Sequence, residues 1–295
     1  MCCRNGSKIK RWINTMNTWL ITGCSSGLGK SLAKAALEHG DQVVVTARNV
    51  DAVQTFEKDF PETALPVQLD VTDDSSVAAA IAAAVERFGK IDVLVNNAGY
   101  CLRGAVEECT LEEVRGQFET NFFGTVRMMQ HALPLMRKEK KGTIVNFSSI
   151  AALGTAEGSA FYGASKCAVE GLSDGLRKEV NPLGVKVVVV EPGPFITDFF
   201  GRSIAINAHH IDDYKETAGK RKVRLDKPET SGRKGWGNSD KAAHVIIEAI
   251  ENNDPPFRLL LGSVALGCAE KFVAERIDET NKWKHLSVKT DIPGM

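Results

Sequence analysis

Tyr162 and Lys166 lie four residues apart in Tyr162-Gly-Ala-Ser-Lys166, which puts both side chains on one face of a helix, one turn from each other. A phenol has an ordinary pKa near 10, poorly matched to proton exchange at neutral pH, and an adjacent ammonium favours the phenolate and lowers it. Each unit of lowering corresponds to about 1.4 kcal/mol of preference for the phenolate. The pair therefore offers Tyr162 as a general acid and base tuned by Lys166. Taken alone, the spacing also arises by chance, so its meaning rests on what accompanies it.

What accompanies it first is the turn Thr22-Gly-Cys-Ser-Ser-Gly-Leu-Gly29, which follows an apolar run and opens into helix-period sequence. Gly23 lets the chain turn sharply, Gly27 lets the backbone approach a pyrophosphate, and Gly29 allows close helix packing. The helix start adds unpaired N–H groups and a positive dipole, so Gly23, Ser25, Ser26, Gly27, Leu28 and Gly29 form the expected anion cradle. A dinucleotide site selecting NAD normally carries an acidic residue about 20 positions on, at the end of the second strand. Here that position is Ala47, followed by Arg48, whose guanidinium suits a 2′-phosphate. The alternative is a solvated loop arginine, but the dipole of the helix it precedes opposes a cation there and a bound anion offsets that cost. The expected cofactor is NADP (NADPH), with NAD disfavoured.

The elements that must position these groups follow from periodicity. Short β-branched runs alternate with helix-period segments: Thr18 to Thr22 then Leu28 to His39, Gln42 to Ala47 then Val50 to Phe60, Leu65 to Asp70 then Asp74 to Phe88. Ile91 to Asn96, Gly142 to Ser148 and Lys186 to Glu191 are nearly unbroken apolar strands of the kind buried on both faces. The pattern predicts an α/β fold, a doubly wound parallel sheet. Thr72 and Asp73 announce the Ala-rich helix from Ser75, Gly89 ends it, and Thr110 with Glu113 forms a capping box. Periodicity lapses between Gly193 and Asn238, read as a mobile lid, and resumes with a helix from Ser239 to Glu251, a strand at Arg258 to Leu261 and an amphipathic helix over 264–284. Residues 1–16 read as an extension, and 17–295 as one domain.

Composition bounds the rest. Lys plus Arg and Asp plus Glu are 37 each, so no global basic field points to nucleic acid or an anionic membrane, and the expected partner is a small molecule. Seven scattered cysteines lack zinc-site spacing and suggest reduced thiols in a cytoplasmic protein, with no metal required. The first 17 residues carry no apolar run long enough for a secretory leader, and apolar stretches elsewhere fall well short of the roughly 20 residues of a membrane span.

Thr22 to Gly29, Asn96-Asn-Ala-Gly99, Asn121, Ser149, Tyr162/Lys166 and Pro192-Gly-Pro-Phe-Ile-Thr197 occur in the order of the short-chain dehydrogenase/reductase family, which the chain resembles strongly over 17–197. The resemblance implies a Rossmann fold and hydride transfer between a nicotinamide and a carbonyl/alcohol pair. It gives Tyr162 the role of acid and base, and Ser149, thirteen residues earlier, that of polarising the carbonyl, with Ser148 as the alternative. It makes Lys166 the residue that holds ribose hydroxyls and Asn121 the support of a water leading to that lysine. It implies that Asp70 and Val71 meet the adenine, that Asn97, Ala98 and Gly99 lie beside the adenosine ribose, and that Pro192, Gly193 and Thr197 border the nicotinamide. Asp70 has a competing role as the cap of the following turn, and Asn121 as a buried amide. The later segments look more like the branch of hydroxysteroid and retinol dehydrogenase relatives than like the shorter acyl-carrier reductases.

The substrate is the least legible part. Tyr100, Cys101, Leu102, Leu153, Phe161, Phe195, Phe199 and Phe200 suggest an apolar cleft for a ring-bearing or lipid-like carbonyl compound, with core packing as the other explanation. Two further functions share the fold. A nucleotide-sugar epimerase or dehydratase holding NAD is disfavoured by Ala47-Arg48 and by the spacing of Gly23 and Gly27, and an NADPH-sensing regulatory module by the intact Asn121, Ser149, Tyr162 and Lys166 set. The resemblance implies a homodimer or homotetramer through segments 110–138 and 161–180, and Phe272, Ile277 and Trp283 are spaced to give the C-terminal helix one face for that surface or for the cleft.

Overall fold

The computed structural model describes residues 16–197, 199, 201–222 and 235–292. Residues 1–15 of the expected extension, Phe200 and the 223–234 portion of the expected lid lie outside the described residues. The chain runs β1 (Thr18–Ile21), α1 (Gly27–His39), β2 (Gln42–Ala47), α2 (Thr55–Asp59), β3 (Ala64–Gln68), α3 (Asp74–Phe88), β4 (Val93–Asn96) and β5 (Cys101–Arg103). It continues with α4 (Leu111–Phe118), α5 (Gly124–Glu139), β6 (Gly142–Phe147), α6 (Ala160–Val180), β7 (Val185–Pro192), β8 (Ile204–Ile206), α7 (Ser239–Glu251), β9 (Arg258–Leu261) and α8 (Ser263–Ser287).

Seven strands pair in the order β3-β2-β1-β4-β6-β7-β9, every pairing parallel. Side chains alternate across a strand, so each strand feeds both faces. Trp19 and Ile21 of β1 join Val43 and Val45 in a core against α1 and α7, while Leu20 joins Val44, Leu94 and Ile144 in a second core against α3 and α5. Both faces being covered explains why these strands lack polar alternation. This is the doubly wound Rossmann-like sheet expected. Its order reverses between β1 and β4, and ligands in such sheets bind beyond the carboxyl ends of the strands at that reversal.

Local chemistry sets the boundaries. Asp73 caps α3 by accepting from Ser75 N, Gly89 ends it at a φ of 79°, and Thr110 with Glu113 makes the reciprocal capping box at α4. Four stretches differ from expectation. The segment read as one helix over 50–60 splits into a 3-10 turn at Val50–Val53, where the Asn49 side chain accepts from Asp51 N, and a short α2. The third strand stops at Gln68 because the Asp70 carboxylate accepts from Thr72 N (2.9 Å) and Thr72 Oγ1 (2.7 Å), folding the chain into a turn. The long helix after Thr110 is interrupted by a π-helical turn at Glu119–Phe123, which contains Asn121. In the aperiodic 193–238 stretch, β8 pairs in parallel with β5, and 3-10 turns form at Asp212–Tyr214 and Ala218–Arg221.

The C-terminal helix α8 forms, but it does not bury an apolar stripe: Ala265 is its one buried residue, and Ile277 and Trp283 remain 54% and 48% exposed. Among the described residues no helix is long and apolar enough to cross a membrane.

Candidate active site

A cavity of about 1140 Å³ lies along the carboxyl ends of β1, β2, β4, β6 and β7. Of the site residues named from sequence, all but Gly29 and Asn121 line it. Gly29 serves from beneath. A Cβ there would stand 2.3 Å from Asn97 Nδ2 and 2.5 Å from Gly23 O, so only glycine lets α1 start this close to the sheet. Gly23 and Gly27 hold φ of 74° and 60°, the left-handed region that glycine enters without penalty. Ser26 at the helix start makes no side-chain cap, leaving the first-turn amides of α1 to the cavity. Thr197 closes over this turn, 3.5 Å from where a Cβ on Gly27 would be. An uncapped helix start in a glycine-lined concavity has the form required by a pyrophosphate.

Asn97 has a structural task as well as a place on the wall. Its Nδ2 donates to Thr22 O (2.8 Å) and Gly23 O (3.1 Å), and Thr22 Oγ1 accepts from the amides of Asn97 and Ala98, both at 2.9 Å. These bonds stitch the loop after β4 to the turn after β1 across the reversal of strand order. Arg48 is exposed on the rim just past β2, and Asp70 performs its turn-capping task while lining the cavity.

Ser149 follows β6, and its Oγ accepts from Ala151 N (3.1 Å) at the start of a 3-10 turn. Its hydroxyl also acts on the Tyr162 phenol, favouring the phenolate. The neighbouring Ser148 hydroxyl is buried without a hydrogen-bond partner, a group of the kind a ligand satisfies. Tyr162 and Lys166 sit one turn apart on α6 as the spacing requires. Lys166 Nζ is 5.8 Å from the Tyr162 ring centre and donates to Phe147 O at 2.7 Å. Burial pulls the Lys166 ammonium down to about 8. Burial also raises the Tyr162 phenol above its ordinary 10, with the Ser149 hydrogen bond working in the opposite direction. The expected lowering of the phenol by Lys166 is not found in this structure: desolvation of the phenolate dominates, and the contribution that opposes it comes from Ser149.

Asn121 stands one layer behind the cavity. Its Oδ1 accepts from Tyr100 N (3.0 Å), and its Nδ2 donates to Tyr100 O (2.9 Å) and Ser165 Oγ (3.1 Å). Ser165 in turn donates to Tyr162 O (2.8 Å), so Asn121 ties the loop after β4 to the turn of α6 that carries the phenol and ammonium.

The far end of the cavity is less apolar than expected. Tyr100, Cys101, Phe195 and Phe199 line the cavity, the last with its ring centre 6.0 Å from that of Tyr162, whereas Leu102, Leu153 and Phe161 do not. Sequence reasoning missed Arg103, Arg202, Arg221 and Trp236 there. Arg103 lies on β5, opposite Ile206, and Arg202 lies two residues before β8; two three-residue strands leave no periodic signal.

The profile of the short chain dehydrogenase family matches residues 17–205. Oxidoreductase BOA17 of Botryotinia fuckeliana is 36% identical over 275 residues, 92% of this chain and 97% of that protein. A short-chain dehydrogenase from Streptomyces avermitilis superposes with a TM-score of 0.86 at 36% identity, covering 94% of this chain and 99% of that one. A short-chain dehydrogenase from Burkholderia cenocepacia, solved in complex with NADP, superposes with a TM-score of 0.71 at 26% identity, covering 90% of this chain and 97% of that one. Sequence order, sheet topology and these likenesses agree: the chain belongs to the short-chain dehydrogenase family of oxidoreductases.

Proposed function

We propose that the protein is an NADP(H)-dependent oxidoreductase that interconverts a carbonyl compound and a secondary alcohol, with Tyr162 as its acid and base. The observation that carries this reading is the meeting of Ser149, Tyr162 and Lys166 on the wall of a cavity whose other end is the uncapped start of α1. Residues 23–29 and 97–99 hold the dinucleotide, Asp70 and Val71 border its adenine, Pro192, Gly193 and Thr197 border its nicotinamide, and Arg48 pairs with its 2′-phosphate. Bound NADPH supplies the hydride.

Ser149 donates a hydrogen bond to the carbonyl oxygen, drawing electrons from the carbon. Tyr162, kept protonated by burial, gives its phenolic proton to the same oxygen as negative charge develops there. Lys166 holds ribose hydroxyls and places a positive charge beside the phenol, stabilising the phenolate left behind. Asn121 acts through position, fixing Tyr100 and Ser165 around this group. The Phe195 and Phe199 rings exclude water from one side of the reacting centre.

The test is reduction of a ketone panel with NADPH deuterated at the transferable position. The expected product carries one deuterium at the carbinol carbon. Deuterium absent from that carbon, or NADPH consumption independent of added ketone, would overturn the reading.

A further inference from the structure

Helix α8 has two parts. Its first turns meet β9 and the 3-10 turn after Ser149, and the less exposed residues there, Ala265, Cys268 and Phe272, share one side of the helix. Every residue from Val273 to Ile292 is exposed. The rest of α8, about four turns, therefore lacks the tertiary packing that supplies most of a helix's stability in water.

The side of α8 turned away from Ala265 and Phe272 carries a stripe. Leu266, Glu270, Val273, Ile277, Asn281 and Lys284 recur at steps of four, three, four, four and three residues, and Val288, opening the following 3-10 turn, extends the line. Leu266, Val273, Ile277 and Val288 are each more than half exposed. Small or uncharged residues flank them, Ala269, Ala274, Thr280 and Ser287, while Lys271 and Glu275 pair with each other on the opposite side, 3.6 Å apart. Val273, Arg276, Ile277 and Thr280 border a depression at the middle of the helix. Residues at i, i+3, i+4 and i+7 form the hole that takes a side chain from a facing helix.

The stripe also identifies the facing helix. Counted from Ile277, Leu266 and Val288 lie eleven residues away on either side, Glu270 and Lys284 seven, and Val273 and Asn281 four. Two antiparallel copies of α8 crossing at Ile277 therefore oppose Leu266 to Val288, Glu270 to Lys284 and Ile277 to its own equivalent. Every such contact occurs twice, as a two-fold axis requires. Within one helix Glu270 and Lys284 stand about 21 Å apart, too far to pair, and a parallel copy would set like charge against like. We propose that α8 is a self-association surface, on which two copies of the chain pair their C-terminal helices antiparallel about Ile277. Ile277 of each copy fills the depression bordered by Val273 and Thr280 of the other. This contact is separate from segments 110–138 and 161–180 and does not depend on the reaction at Tyr162.

One helix pair is a small interface, so association in the micromolar range is expected. Sedimentation equilibrium of the full chain from about 1 to 100 µM measures it. Ile277→Glu sets two carboxylates together on the axis and is expected to halve the limiting mass, raising the dissociation constant at least about 100-fold. Glu270→Lys or Lys284→Glu alone weakens association several-fold at low salt, and the two together restore it to within about 3-fold of wild type. Should Ile277→Glu fail to fold, as judged by circular dichroism, the exchange of charges decides the matter. The same limiting mass in wild type and Ile277→Glu, or no rescue by the exchanged pair, overturns the proposal. Wild type that sediments as a monomer but floats with phosphatidylcholine/phosphatidylserine vesicles overturns it in favour of a membrane surface.

Discussion

Replacing Lys166 by methionine is expected to make the cofactor-free protein less pH-sensitive while abolishing its chemistry. The ammonium is buried to 5% exposure, and burial draws its pKa from 10.5 down to about 8. For a base whose folded pKa lies below its unfolded one, the burial cost is present in full below pH 8, where both states are protonated. Between pH 8 and 10.5 the unfolded chain keeps a proton that the folded protein releases, so stability rises with pH across that window. The difference of 2.5 units corresponds to about 3 kcal/mol. Methionine removes this cost, but it also removes the donor to Phe147 O, and an orphaned buried carbonyl costs about 1–3 kcal/mol. At pH 7 the two effects nearly cancel, leaving the variant between unchanged and about 2 kcal/mol more stable. The slope separates them. Urea unfolding of both proteins at intervals from pH 7.5 to 10.5 should show wild type gaining about 3 kcal/mol relative to the variant. Parallel stability curves would refute the claim that the ammonium bears the cost of its site.

Three other outcomes follow from the same geometry. Arg48→Leu should lower NADPH affinity at least 10-fold and leave NADH affinity nearly unchanged, measured by fluorescence titration; equal losses for both would remove Arg48 from 2′-phosphate recognition. Gly29→Ala forces a methyl against Asn97 Nδ2 and the Gly23 carbonyl, so it should cost about 1–3 kcal/mol of stability and weaken dinucleotide binding, and a neutral effect on both would contradict the close packing. Glu108 is buried, which raises its pKa, yet hydrogen bonds from Lys222 Nζ (2.7 Å) and the amides of Ala105 and Ile211 outweigh burial and hold it at about 2. Its stabilisation is therefore present above the usual carboxylate range and lost as pH falls through about 2, so Glu108→Gln should be destabilised at pH 6 and progressively less so toward pH 2, whereas a pH-independent difference would contradict the account.

The sheet was legible in the sequence because its strands are buried on both faces, so Val43 to Val45 and Val187 to Val190 appear as apolar runs with glycines and caps between them. The cofactor turn and the Tyr162/Lys166 pair were legible because each depends on local spacing along one element. Asp70 shows the limit of that reasoning: its carboxylate both ends the strand early and lines the cavity, and no single role exhausts it. The π turn at Glu119–Phe123 was not legible, since one extra residue per turn leaves helical periodicity almost unchanged. Arg103 and Arg202 were hidden for a different reason. Arg103 lies on β5 and Arg202 just before β8, and a pairing of two three-residue strands about 100 positions apart has no signature in either segment.

In the proposed reaction Tyr162 is the proton donor to a carbonyl held by Ser149 beside the nicotinamide. Tyr162→Phe removes one oxygen and keeps the ring, so NADPH binding should stay within a few-fold of wild type while kcat for ketone reduction falls by about 100-fold to 10,000-fold. Turnover by the phenylalanine variant within a few-fold of wild type, with NADPH still bound, would contradict it.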